Sequence, residues 1–121
     1  GGPLEQGTAA QTVSSHYAVF LSGGQVLIAD SVVSGRMPAV GVALGYYLSG
    51  QTVAIQLQGP VSNAVFSGLL SAGLPVYVLS GGFLGAAPPS VSGAIVQRMG
   101  TADTNGSLIL GPSPDYYRVG Q

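Results

Sequence analysis

Three times in this chain an apolar run reaches Leu-Ser-Gly and a second apolar run follows. The three passages are Phe20-Leu21-Ser22-Gly23-Gly24-Gln25-Val26, Tyr47-Leu48-Ser49-Gly50-Gln51-Thr52-Val53 and Val78-Leu79-Ser80-Gly81-Gly82-Phe83-Leu84. Glycine accepts positive φ without a Cβ clash, which tight hairpin turns demand. The pattern predicts three β-hairpins, turning at Gly23-Gly24, Gly50-Gln51 and Gly81-Gly82. Their spacing is irregular, so the chain is not a solenoid of fixed period.

The runs between these marks have the period of strands. In 51–58, Val53, Ile55 and Leu57 share one face, and Thr52, Ala54, Gln56 and Gln58 the other. That alternation fits a half-buried strand. Segment 39–48 is more continuously apolar, and Gly41 and Gly45 within it point to a bend, a bulge or a close backbone approach. Segments 17–21, 25–29, 75–80, 93–101 and 107–110 complete the set, with an Asn105-Gly106 turn ahead of Leu108-Ile109-Leu110. That turn also forms an N-x-S sequon with Ser107, but the hairpin accounts for it without a glycan. Pro88-Pro89 marks a loop. Only 63–72, stopped by Gly73, has room for a helical turn. The expected fold is all-β: a small antiparallel barrel or sandwich of about eight short strands. Its expected buried set is Val26, Ile28, Val42, Val53, Ile55, Leu57, Val76, Val78, Ile95 and Ile109.

Charge is nearly absent. Apolar residues make up 46 % of the 121 and charged residues 6 %, with a net charge of -1, against roughly 25 % charge in ordinary soluble domains. A chain so poor in like-charge repulsion reads as one that lives inside an assembly. Three scattered Arg and no Lys exclude binding to nucleic acid by phosphate neutralisation. No apolar run is long enough to span a bilayer. His16 is the sole imidazole, there is no Cys, and Glu5, Asp30, Asp103 and Asp115 lie far apart. No catalytic triad, nucleophile elbow or phosphate loop is visible. The expectation is therefore no enzyme, no metal and no organic cofactor. Arg98, on an apolar strand with few acids to pair it, is expected to point outward or into an interface.

The N-terminal segment differs in kind. Residues 1–16 hold only Leu4 and Val13 as large aliphatic side chains, among small residues such as Thr8, Ala10 and Thr12. They cannot bury a core alone. They are expected to form an extended arm, separate from a barrel domain over 17–121, that adds as a strand to a neighbouring subunit. Leu4, Thr8, Ala10, Thr12 and Val13 are then the interface residues. The start Gly1-Gly2-Pro3, without Met, reads either as the end left by a cleaved secretory leader or as a tag remnant.

Three further passages carry a resemblance. They are Ser34-Gly35-Arg36-Met37-Pro38-Ala39-Val40-Gly41-Val42-Ala43; Pro75-Val76-Tyr77-Val78, leading through Ala87-Pro88-Pro89-Ser90 to Ile95-Val96-Gln97-Arg98-Met99-Gly100; and Gly111-Pro112-Ser113-Pro114-Asp115-Tyr116-Tyr117. Together they resemble a small β-barrel module of bacteriophage virion proteins, in head decoration and fibre components, and of uncharacterised bacterial surface proteins. The resemblance implies a structural module without catalysis and leaves virus or cell open. It does not extend to the N-terminal arm.

Two functions follow as expectations. The first is a secreted subunit that polymerises with copies of itself into an extracellular, pilus-like helical fibre at the cell surface, each arm completing a neighbour's barrel. This assembly is similar to donor-strand exchange. The second is a bacteriophage decoration or fibre protein, trimeric, bound to a capsid or tail protein of the virion. A carbohydrate-binding module is a distant third. It would rest on Tyr46-Tyr47, a pair equally expected of a strand with one ring in and one out.

Overall fold

The computed structural model describes residues 4–120. The strands are β1 (Leu4–Ala9), β2 (Ala18–Ser22), β3 (Gln25–Ile28), β4 (Gly41–Ala43), β5 (Thr52–Gln56), β6 (Gly59–Ser62), β7 (Pro75–Val78), β8 (Leu84–Gly85), β9 (Ile95–Val96), β10 (Arg98–Thr104), β11 (Ser107–Leu110) and β12 (Tyr117–Arg118). Among the described residues the helical content is three single 3-10 turns, over Ser34–Arg36, Ala64–Phe66 and Ser80–Gly82. The chain is all-β, as its periodicity requires.

The strands make two bodies. β1, β3, β2, β4 and β5 close into a barrel in that order, β5 returning to β1. β6, β11, β10, β7 and β8 form an open sheet, and β9 pairs with β12 beside it. Each body has its own core. Ala9, Val13, Val19, Val26, Ala43, Val53 and Ile55 fill the barrel. Phe66, Leu70, Val76, Val78, Leu84, Met99, Leu108 and Leu110 lie under the sheet, together with Ala18 and Val42 from the barrel wall. β2 and β4 are therefore buried on both faces: Val19 and Ala43 point into the barrel, Ala18 and Val42 towards the sheet. A strand covered on both sides needs no polar alternation, which is why 39–43 reads as a continuous apolar run.

The hairpins form where the glycines stand. Gly23 and Gly24 both take positive φ (58° and 81°) between β2 and β3, as a two-residue hairpin turn requires. Gly81-Gly82 reverses the chain between β7 and β8, with Leu79 N–H donating to the Phe83 carbonyl at 2.7 Å. Asn105-Gly106 joins β10 to β11. Gly50 also turns the chain, but at the end of a loop: between β4 and β5, residue Tyr47 makes only an isolated bridge to Val13. The expected turn in 63–72 is the one at Ala64–Phe66, where the Asn63 side-chain oxygen caps the Val65 N–H at 3.0 Å.

Three expectations are corrected. Ile109 is 51 % exposed, while Leu108 and Leu110 are buried. The all-apolar run Leu108-Ile109-Leu110 carries no polar residue to mark its outer face. Its facing follows instead from the register, which sets Ile109 opposite Pro60 and Thr101. The stretch around Gly59-Pro60, outside every expected strand, is edge strand β6. An edge tolerates Pro, whose missing donor faces away from the ladder. The separate arm over 1–16 is the third: its described part supplies β1, the strand that closes the barrel of this same chain. The expectation counted apolar side chains, and β1 has few. Its backbone finds two partners regardless.

Candidate assembly surface

β1 pairs antiparallel with β5 from Leu4↔Gln56 to Thr8↔Thr52, and parallel with β3 at Thr8↔Gln25 and Ala9↔Val26. Thr8 N–H donates to the Gly24 carbonyl at 3.0 Å, Ala9 N–H to Gln51 at 2.8 Å and Ala10 N–H to Val26 at 3.0 Å. Of its six residues only Ala9 is buried. Burying a Val-sized side chain contributes about 1.5–3 kcal/mol, so β1 forgoes most of that and is held by its ladders. Gly7 lies over the core, where a Cβ would come within 2.6 Å of Val26 Cγ2.

The five expected interface residues fall in three kinds of place. Leu4, Thr8 and Thr12 are exposed on this chain's own surface. Ala10 is half-buried, its N–H on β3. Val13 is fully buried in the barrel core, and its N–H and carbonyl both pair with Tyr47 (2.8 and 2.9 Å). It is a core residue, not a surface contact.

Other apolar side chains stand free. Tyr46 and Leu48 are more than half exposed on the loop after β4, while Tyr47 packs against the barrel core. Leu69 and Phe83 flank an open groove of about 500 Å³ beside β8, whose walls are Leu79, Leu84, Gly85, Ala86 and Ala87, with Ser80 the one hydroxyl. Tyr116 and Tyr117 are exposed near the C-terminal end. Small-molecule sites set a few converging polar groups among apolar walls; this groove has no such set. Among the described residues no three His, Cys, Asp or Glu side chains gather as metal ligands, and no helix is long and apolar enough to cross a membrane. Arg98 is exposed and turns back on its own strand, bonding the Gly100 carbonyl at 3.2 Å and the Thr101 hydroxyl.

Gln97, which the sequence reading passed over as a neighbour of Arg98, is the polar side chain that organises one end of the molecule. It is 1 % exposed. Its oxygen accepts from Ala39 N–H at 2.7 Å, and its amide nitrogen donates to the carbonyls of Ala39 (2.9 Å) and Ser113 (3.0 Å). It thus ties the entry to β4 and the Pro112-Ser113-Pro114 segment to the sheet. A lone amide after Ile95-Val96 was the available signal.

The fold and its surface define a class: a small all-β protein, a closed five-stranded barrel backed by an open sheet, with free apolar side chains at its surface. No protein-family model matches the sequence, and no curated protein is significantly similar to it.

Proposed function

We propose that this protein is a non-catalytic structural subunit that self-assembles into an extracellular, pilus-like fibre, with β1 of one copy taking, in the next copy's barrel, the slot it fills here in its own. The observation that carries the reading is the character of β1. It is the first strand of the barrel in chain order, nearly free of buried side chains, and held by backbone bonds on both sides. A strand held this way fits an identical slot in a neighbour as well as its own, and a head-to-tail exchange that does not close propagates as a filament. The low charge and the exposed Tyr46, Leu48, Leu69 and Phe83 support a surface covered by other subunits.

The test uses the absence of Cys. Gln6 and Ala54 are direct partners across β1 and β5, a separation suited to a disulfide. The double variant Gln6→Cys, Ala54→Cys is assembled, oxidised and run without reductant. A ladder of covalent oligomers is expected from strand exchange. A covalent monomer from material that has assembled overturns the exchange. That outcome favours the second reading, a bacteriophage decoration or fibre protein that forms discrete trimers on a capsid or tail. The observation supporting it is that the barrel is already complete within one chain.

A further inference from the structure

His16 sits where the two bodies meet. It lies on the loop between β1 and β2, its N–H donates to the Ala43 carbonyl of β4 at 2.7 Å, and its ring packs edge-on to Phe66, centroids 6.0 Å apart at 84°. Phe66 belongs to the core beneath the sheet. His16 is also the one non-glycine residue with positive φ (63°) among the described residues, so the loop is bent to bring the imidazole into this contact. The cleft around it is completed by Val65, Leu69, Gly82 and Phe83. Ser15 Oγ lies 2.6 Å from Nδ1.

We propose that His16 is an acid-sensitive joint between the barrel and the sheet: neutral, its imidazole packs against Phe66, and protonation loosens that contact. The elements around it offer a cation nothing to pair with. The loop of residues 14–17 contributes Tyr17, whose ring stacks on Phe83 at 4.9 Å. β4 contributes a backbone carbonyl, and the turn at Ala64–Phe66 and the segment 82–84 contribute apolar or glycine residues. No carboxylate and no guanidinium lines the cleft among the described residues. Ser15 can donate to a neutral ring or accept from a charged one, so it favours neither state. Burial does favour one, and it holds the imidazole below its ordinary value of 6.5. The Phe66 ring stands at the outer limit of a cation–π contact, the smaller opposing effect. The sign follows. Above the unfolded imidazole value both states are neutral. As pH falls below it, the unfolded chain takes up a proton that the folded chain resists, so stability is lost between that value and the lower folded one.

The chain has a single His, so the measurement is direct. Free carboxyl groups titrate near 4 and α-amino groups near 8, which leaves the window from about pH 7 to 5 to this ring. Imidazole proton shifts and the melting temperature are followed across it in the whole chain. His16→Asn, which tolerates positive φ and does not titrate, serves as the comparison. The expected result is an imidazole midpoint below 6.5, Phe66 ring shifts that follow the same curve, and a melting temperature that falls from pH 7 to 5 in the parent and stays level in H16N. A midpoint at or above 6.5, or an equal fall in both proteins, overturns the proposal. If H16N does not fold, the titration of the parent protein decides alone.

Discussion

The barrel and the sheet solve the same problem with different side chains. The barrel core is built of Ala, Val and Ile, with no buried ring; the core under the sheet holds Phe66, Met99 and four Leu. The diameter of a barrel follows its strand number, and five strands leave room only for short, branched side chains. The sheet faces a flat wall and accepts larger ones. The edges differ as well. Closure leaves the barrel none, at the cost of depending on β1, which adds little burial of its own. The sheet keeps two edges: β6, which carries Pro60, and β8, only two residues long. Both are common ways of discouraging pairing with another chain. The difference teaches that one body is completed by backbone and the other by side chains.

Each body has one point where two backbones approach too closely for any side chain. A Cβ at Gly41 would collide with the Gln56 carbonyl oxygen in the barrel, and one at Gly100 with the Ile109 carbonyl oxygen in the sheet. Gly41→Val and Gly100→Val are expected to have the largest effects, each costing about 3 kcal/mol or more. Urea unfolding measures this. Because Ala18 and Val42 belong to the barrel wall and to the sheet's core alike, both variants are expected to unfold in one transition. Two separated transitions in either would show that the bodies are independent.

Gln97→Met sharpens the comparison from the side of the polar groups. It keeps the volume and strips partners from Ala39 N–H and from the carbonyls of Ala39 and Ser113. The expected loss is about 2 kcal/mol, read from the same unfolding curves, with amide exchange quickening at Ala39. A loss under about 0.5 kcal/mol, the level of an ordinary surface change, would mean that water replaces the amide without cost.

The smallest effect is expected at Ile109, whose outward facing distinguishes the sheet's two faces. Ile109→Thr should stay within about 0.5 kcal/mol of the parent, and Leu108→Ala should cost about 3 kcal/mol. Reversed magnitudes would put the register of β11 one residue out.

What the sequence disclosed, and what it did not, divides along physical lines. Local chemistry was legible: Gly23-Gly24 turns with the positive φ that glycine accepts, Asn105-Gly106 turns the chain at the expected place though neither residue takes positive φ, and Val53 and Ile55 are buried by simple alternation. Choices made by distant partners were not. Nothing in Leu4–Ala9 announces a parallel pairing with β3, because parallel ladders are specified by neighbours and not by a turn. Val13 looked like a donor-arm residue because it meets its partner, Tyr47, in an isolated bridge that no local pattern in either segment announces. Ile109 had no polar neighbour within its run to show its direction. At the candidate assembly surface the residue types of β1 were legible, but not its place in the chain's own barrel.

The pairing of Leu4 with Gln56 also sets an order of events during synthesis. β1 leaves the ribosome long before β5, the strand it needs most, has been made. At about 5–20 residues per second the wait lasts seconds, ample time for β2 and β3 to form their local hairpin. Until β5 arrives, that hairpin presents a bare edge at β3, and the nascent N-terminal segment is the strand tethered nearest to it. Contacts so distant in sequence slow folding in general. Here they also mean that a crowded row of ribosomes translating one message would hold many unfilled slots and many waiting strands within reach of one another.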